Sequence, residues 1–152
     1  YFETAEQYEE KAKNLTNDYG DIVEEFEIQF IDGDGINCKL FSALNIHQGN
    51  FADFLDCVDE WDIDEKIKVI LAVGECGYSF TFGQDTPDQF DLDLYEMESM
   101  RDLAMEFVDQ GLFGDIPANI QNYLDYKAIA YDLGMDYSET TIDGTRYIYR
   151  MA

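Results

Sequence analysis

The sequence predicts a protein of the α+β class, in which short helices and antiparallel hairpins follow one another along the chain. Apolar residues recur at helical spacing in several segments, and in others they alternate with polar residues beside Asp-Gly turns. The chain of 152 residues is long enough for one ordinary domain or for two or three very small ones.

The first third is predicted to contain a helix followed by a hairpin. Thr4 is a candidate N-cap for a helix that runs to Leu15. Apolar and polar residues alternate in 24–31 and again in 36–40, on either side of the Asp-Gly-Asp-Gly sequence at 32–35. This pattern predicts two antiparallel strands joined by a turn.

The middle of the chain is predicted to be mainly helical. Asn50 can cap a helix over 51–61 that has one apolar and one acidic side. A second helix is predicted over 64–73, with Gly74 in the usual position for a C-cap. A short strand over 78–82 is predicted to follow.

The last third is predicted to combine a strand, three helical segments and a hairpin. Alternation within 88–98 indicates the strand, and the helix over 100–110 follows it. A helix-turn-helix segment is predicted over 118–133, and a hairpin with an Asp-Gly turn over 137–151. The predicted N-caps are Ser99 and Asp125.

The dominant chemical feature is negative charge. The chain has 34 Asp and Glu against 9 Lys and Arg, a formal net charge of -25. Its hydrophobic fraction of 46% is too high for a disordered acidic tail, so the sequence folds. Such a surface repels nucleic acids and anionic membranes, attracts basic protein surfaces, and destabilises the compact state through self-repulsion.

The acidic residues are spread over the polar faces of elements that also have an apolar face. On a helix, carboxylates three or four residues apart have Cβ atoms about 5 to 6 Å apart, and duplex DNA carries roughly one phosphate per 1.7 Å of its axis. The pattern therefore permits imitation of a DNA backbone. The candidate carboxylates are Asp53, Asp56, Asp59, Glu60, Asp91, Asp93, Glu98, Asp102, Glu106 and Asp109.

No metal site, cofactor or catalytic residue is predicted. Residues 32–37 lack the calcium-loop pattern in either register, and the three cysteines and His47 lack zinc spacing. Cys38, in a predicted strand, and Cys57, on a helix, are expected to be buried, inert thiols of a reducing cytoplasm. The longest apolar run, 69–73, is too short to span a membrane, and no signal peptide is visible.

The tyrosines near the C-terminus admit two interpretations, core packing or an association surface for a second copy. They are Tyr123, Tyr126, Tyr131, Tyr137, Tyr147 and Tyr149.

The segment 112–133, with its core Asn122-Tyr-Leu-Asp-Tyr126, resembles the ArdA family of antirestriction proteins. Family members share a run of Gly, acid, aliphatic residue and Pro before this core, and a helix that ends in Asp-Leu. The family pattern also has a strand ahead of the part that matches residues 1–4. Two interpretations follow: a first domain without that strand, or a sequence that begins after it.

The resemblance implies an elongated, curved protein of three small domains, here 1–48, 49–88 and 89–152. It also implies a homodimer whose contact lies in the antirestriction segment. In this sequence that segment comprises Asp115, Pro117, Asn122, Tyr123, Leu124, Asp125, Tyr126 and Asp132.

The function that the resemblance implies is inhibition without catalysis. Members of this family are carried by mobile elements in bacteria, where they imitate bent DNA and occupy the DNA groove of type I restriction-modification enzymes. The alternative from composition alone is an acidic module that sequesters a basic host protein, such as a nucleoid factor.

Overall fold

The computed structural model describes residues 2–23 and 27–152. Within them lie seven α-helices and a three-stranded antiparallel sheet, which confirms the α+β class. The chain forms two compact units, Tyr1–Phe90 (the N-terminal unit) and Asp91–Ala152 (the C-terminal unit). The elongated arrangement of three domains, with its boundaries after residues 48 and 88, stays a prediction.

The regular elements in the described part of the N-terminal unit are helices, and irregular segments connect them. Its α-helices are α1 (Ala5–Lys13), α2 (Gly35–Ala43), α3 (Phe51–Glu60) and α4 (Ile63–Val69). A π-helical turn (Ile70–Glu75) continues α4, and a short 3-10 helix covers Pro87–Gln89.

The first predicted helix is confirmed, together with its cap. The Thr4 hydroxyl accepts a hydrogen bond from the Gln7 backbone N–H at 3.2 Å, so the side chain satisfies a donor that the helix leaves free. Helix α1 then buries Tyr8, whose ring lies 4.8 Å from that of Phe51 on α3. This edge-on contact joins the two helices.

The core of the N-terminal unit lies between α2, α3, α4 and the π-helical turn. Leu40, Phe54, Ile67 and Leu71 come from these four elements and are almost completely buried. The rings of Phe41 and Phe54 meet edge to face, with centroids 5.5 Å apart. Burial of these side chains is the main stabilising contribution to this unit.

The predicted hairpin of 24–40 is wrong in its described part. Residues 27–31 form no strand, residues 35–43 are helix α2, and residues 24–26 lie outside the described residues. A short apolar run fits both the period of a strand and that of a helix. Here the side chains at 37, 40, 41 and 44 turn inward, and this spacing is helical. Gly33 lies in the bend before α2 and has a φ of 145°, which glycine adopts readily because it lacks a Cβ atom.

The helix predicted over 64–73 has different ends. Asp62, not Asp64, is its N-cap: the Asp62 carboxylate accepts from the Glu65 N–H at 2.8 Å, and the Glu65 side chain accepts from the Asp62 N–H at 2.9 Å. This reciprocal capping box fixes the start of α4. Gly74 is not a C-cap, because it lies inside the π-helical turn.

The strand predicted over 78–82 is also wrong, because this irregular segment has no partner strand among the described residues. Aromatic packing holds it instead. The Phe80 ring meets those of Trp61 and Phe82 edge to face, each with centroids 5.5 Å apart. The alternation in the sequence therefore reflects side chains that face an aromatic cluster.

The elements predicted for the C-terminal unit are confirmed. Strand β1 (Leu92–Glu96) pairs with β3 (Thr145–Met151), which also pairs with β2 (Ser138–Ile142), so β3 is central. Helices α5 (Met100–Asp109) and α7 (Tyr126–Leu133) pack on each other. The short α6 (Ala118–Gln121) lies between them in sequence.

Capping and core packing agree with the sequence in this unit. The Ser99 hydroxyl accepts from the Asp102 N–H at 3.2 Å, and the Asp125 carboxylate accepts from the Ala128 N–H at 3.1 Å. The core cluster lies between α5 and the sheet and contains Leu103, Phe107, Tyr137 and Ile148.

Candidate functional site

The acidic side of α3 is an ordered row of carboxylates. Phe51 and Phe54 turn inward and fix the rotation of the helix about its axis. The four acids predicted to face solvent do so, and α3 contains no Lys or Arg. We name them the α3 acidic face: Asp53, Asp56, Asp59 and Glu60.

The electrostatic effect of this face is visible at Cys57. This half-buried thiol has its pKa raised to about 11, first by burial and then by the negative charges of Glu60, Asp53 and Asp56. A thiolate is disfavoured where water is partly excluded and neighbouring carboxylates repel it. The carboxylates of the α3 acidic face therefore add to the effect of burial on the pKa of Cys57.

Cys38 was predicted to be a buried thiol in a strand, and the structure corrects this. The residue lies in α2 and is exposed, because the helical period turns Leu40 inward instead.

The candidate carboxylates of the C-terminal unit differ in solvent exposure and in hydrogen bonding. Asp91, Glu98, Asp102 and Asp109 are exposed. Glu106 is half-buried, and its carboxylate accepts from the Gln110 side-chain amide at 2.7 Å.

Asp93 is the candidate carboxylate that is joined to a cation. It lies opposite Arg150 in the β1–β3 pairing, and its Oδ2 accepts hydrogen bonds from Arg150 Nε, at 3.1 Å, and from Arg150 Nη2. The guanidinium carbon also lies 4.8 Å above the Tyr137 ring. Asp93 therefore contributes to sheet structure as well as to surface charge.

The charge is spread along the whole chain. Residues 1–90 hold 21 acidic and 5 basic side chains, net -16, and residues 91–152 hold 13 and 4, net -9. Each of the stretches 14–38, 40–65 and 69–100 contains seven acids and no Lys or Arg.

Few of these carboxylates are neutralised by an adjacent cation. Among the described residues, ion pairs join Lys68 to Asp88 at 3.9 Å, Arg146 to Glu139 at 3.1 Å, and Arg150 to Asp93. Negative charge is therefore in excess over most of the surface that the described residues form.

One part of the chain departs from this charge pattern. Residues 116–131 contain only two charged side chains, Asp125 and Lys127. Four large apolar side chains in and just after this segment are strongly exposed, and we name them the α6–α7 surface: Ile120 (48%), Tyr123 (86%), Tyr131 (72%) and Met135 (70%).

The predicted antirestriction residues lie in and beside this surface. Asp115, Pro117, Asn122 and Asp132 are exposed, while Leu124 and Tyr126 are half-buried. The structure separates the C-terminal tyrosines by burial, and an association surface at the exposed ones stays a prediction. Tyr137 and Tyr149 are core, whereas Tyr123 and Tyr131 face solvent.

Residues 16–22 form a tight turn that was not predicted from the sequence. Thr16 and Ile22 form an isolated antiparallel bridge, and Tyr19 at the tip is 91% exposed. The signal was present as Asn-Asp-Tyr-Gly-Asp at 17–21, a run of turn-forming residues around one aromatic side chain.

The described residues contain no group of three or more His, Cys, Asp or Glu side chains arranged to hold a metal ion. None of the helices described in the structure is both long enough and apolar enough to cross a bilayer.

The fold and these surfaces define a class, that of acidic α+β proteins with carboxylates held in fixed positions on solvent-facing elements. The family model described as "Antirestriction protein (ArdA)" matches residues 2–147. The chain belongs to this family of antirestriction proteins. The match confirms the resemblance seen at 112–133 and extends it over nearly the whole sequence. No curated protein matches the chain.

Proposed function

We propose that this antirestriction protein acts as a mimic of DNA that occupies the DNA-binding groove of type I restriction-modification enzymes. It binds there as a homodimer and competes with the duplex. The observation that carries the proposal is the ordered placement of unpaired carboxylates, of which the α3 acidic face is the clearest example.

The physical mechanism is competition for the cations of the enzyme. Lys and Arg side chains in a DNA groove gain affinity for the duplex chiefly by releasing its condensed counterions. On a folded helix the Cβ atoms that carry neighbouring carboxylates are already held about 5 to 6 Å apart. Binding of these carboxylates to the same cations therefore does not require the backbone to become ordered. The duplex is then excluded because its site is filled.

Fixed positions distinguish this protein from an acidic tail. Capping, through Thr4, Asp62 and Ser99, and burial of Phe51, Phe54 and Leu103 hold the helices that carry the charges. Affinity therefore includes shape complementarity in addition to net charge, which gives selectivity that a flexible polyanion lacks.

The proposed dimer contact is the α6–α7 surface. Two copies of a chain with net charge -25 repel each other least where charge is sparse, and residues 116–131 carry one acid and one base. The exposed Tyr123 and Tyr131 provide apolar contact area there. Association would remove these rings from water.

The test is a competition experiment. The protein is added to a type I methyltransferase core bound to a fluorescent target duplex, and released duplex is measured between about 50 and 200 mM salt. We expect release at near-stoichiometric protein, with affinity that falls as salt rises.

The matched variant removes the α3 acidic face by changing Asp53, Asp56 and Asp59 to Asn and Glu60 to Gln. Release should weaken progressively with each added change, whereas the single changes Asp102→Asn and Glu106→Gln should have small effects. Failure of the unaltered protein to displace the duplex from any type I core would refute the proposal. Capture of one basic host protein instead would favour sequestration.

A further inference from the structure

The turn at residues 16–22, which we name the Tyr19 turn, is held by its own backbone. Asn17 N–H donates to the Asp21 carbonyl at 2.9 Å, and Gly20 N–H donates to the Asn17 carbonyl at 3.0 Å. The Asn17 side-chain oxygen accepts from the N–H groups of Tyr19, at 2.9 Å, and Asp21, at 3.0 Å. Gly20 takes the left-handed φ of 84° that the tip requires.

Tyr19 contributes nothing to the core. Its side chain is 91% exposed, the highest value among the exposed large apolar side chains of the described residues. A ring in water stabilises no packing, yet on a preformed turn it can be buried by a partner at little conformational cost. Tyrosine is also among the residue types that most often dominate binding energy at interfaces.

The surroundings of Tyr19 extend the contact surface. Ile22 is 70% exposed and Leu15 is 40% exposed, and both flank the same turn. Asp18, next to Tyr19 in the sequence, and Asp21, two residues after it, are also exposed. The turn therefore exposes apolar and acidic side chains within one short segment.

The chemistry of this segment selects its partner. Residues 14–38 contain seven acids and no Lys or Arg, so a second copy of the chain or a nucleic acid is repelled. An Arg or Lys on a basic protein surface is attracted by the carboxylates and can also pack on the face of the Tyr19 ring.

We infer that the Tyr19 turn docks onto a basic protein surface and that the Tyr19 ring packs against an Arg or Lys of the partner. This rests on the proposed function, in which that surface lies in the DNA groove of a restriction-modification enzyme. Carboxylates supply attraction that salt screens, whereas the buried ring supplies affinity that salt screens little.

The experiment uses the full chain and the same displacement of duplex from a methyltransferase core. Tyr19→Ala removes the ring, Tyr19→Leu keeps apolar bulk without a π-face, and Tyr19→Phe keeps the ring without its hydroxyl. The matched control is Ile63→Ala, an exposed apolar side chain (61%) that also lies between two aspartates, Asp62 and Asp64. Thermal unfolding of each variant verifies that it folds.

We expect Tyr19→Ala and Tyr19→Leu to raise the inhibitory concentration about five- to tenfold, with an unchanged salt slope. Tyr19→Phe and Ile63→Ala should stay within about twofold of the unaltered protein.

If Tyr19→Ala inhibits as well as the unaltered protein, the docking role is wrong while the proposed function stands. If Tyr19→Leu inhibits as well as the unaltered protein while Tyr19→Ala does not, the ring does not pack against a cation of the partner. If the unaltered protein displaces no duplex, both proposals fail.

Discussion

At the residue scale, carboxylates of one formal charge have different surroundings. Asp91 and Asp93 stand two positions apart, the first exposed and the second half-buried. Asp93 accepts two hydrogen bonds from Arg150, whose guanidinium also covers the Tyr137 ring. Removal of either carboxylate changes the net charge equally, but only one removal breaks contacts within the sheet.

We therefore expect Asp93→Asn to lower the free energy of unfolding by a small amount, because Arg150 loses its hydrogen-bonded partner on the exposed side of the sheet. Asp91→Asn, the matched control, should be neutral or slightly stabilising, since it only relieves repulsion. Urea unfolding of both variants measures the difference. Equal midpoints would show that the Asp93–Arg150 pair contributes no stability.

At the element scale, α3 couples a buried aromatic side to an acidic side, and Cys57 lies at their border. Burial and the three carboxylates together raise the pKa of Cys57 to about 11. Replacement of Asp53, Asp56 and Glu60 by their amides should lower that pKa in part, since burial is the larger cause.

The expected result is a rise of about two- to fivefold in the rate at which Cys57 reacts with iodoacetamide at mildly alkaline pH. This reagent is uncharged, so repulsion of the reagent itself does not contribute. The exposed Cys38 in the same molecule serves as the internal reference, with peptide mass spectrometry as the readout. An unchanged ratio of the two rates would mean that the α3 acidic face does not act on the thiol.

The same raised pKa predicts a direction for stability at alkaline pH. The folded state keeps the Cys57 thiol protonated to about pH 11, while its ordinary value is 9.0. Above pH 9 the unfolded chain loses the Cys57 proton more readily than the folded protein does. The contribution of Cys57 to the free energy of unfolding is therefore fully present below about pH 9 and is lost as the pH rises toward 11. A Cys57→Ser variant should show a smaller loss of stability across this window in denaturant titrations.

Also at this scale, the α6–α7 surface is the proposed dimer contact. Tyr123→Asp should lower the mass measured by light scattering from that of a dimer toward that of a monomer, because a charge replaces an 86% exposed ring. The matched control is Ile63→Asp, at an exposed apolar side chain outside this surface. If the Tyr123→Asp variant is still a dimer, the dimer contact does not lie at the α6–α7 surface.

At the scale of the whole molecule, net charge opposes the fold. A formal charge of -25 on 152 residues repels itself, and added salt screens that repulsion. We expect the melting temperature to rise by several degrees, on the order of 5 °C, between low salt and about 0.5 M sodium chloride.

Tetramethylammonium chloride should give the same gain at equal ionic strength, because screening depends on ionic strength and not on the identity of the cation. A gain seen only with magnesium or calcium would indicate specific cation binding instead. A melting temperature that falls with salt would show that ion pairs such as Arg146–Glu139 outweigh the repulsion.

Much of the secondary structure could be predicted because its signals are local. Thr4, Ser99 and Asp125 cap the helices that they were expected to cap, since a capping side chain contacts a backbone N–H only three residues ahead. The β2–β3 hairpin could also be predicted from a local signal, Asp143-Gly144. Both residues of this turn take the positive φ that a two-residue hairpin turn requires.

The failures lie where two local patterns fit equally well. Residues 36–40 satisfy strand alternation and helical spacing alike, and packing of Leu40 in the core of the N-terminal unit decided for helix α2. Tyr78, Phe80 and Phe82 alternate like a strand, yet their rings pack on other aromatic side chains and no strand forms.

The sequence by itself determined the excess of negative charge, the amphipathic periods that assign acids to solvent faces, and the family, because each depends on residue identity and spacing. Only the tertiary structure decided which acids are engaged, as Asp93 is, and which rings face water, as Tyr19 and Tyr123 do. Burial and ion pairing join residues distant in the sequence, Asp93 and Arg150 among them, and no local pattern contains that information.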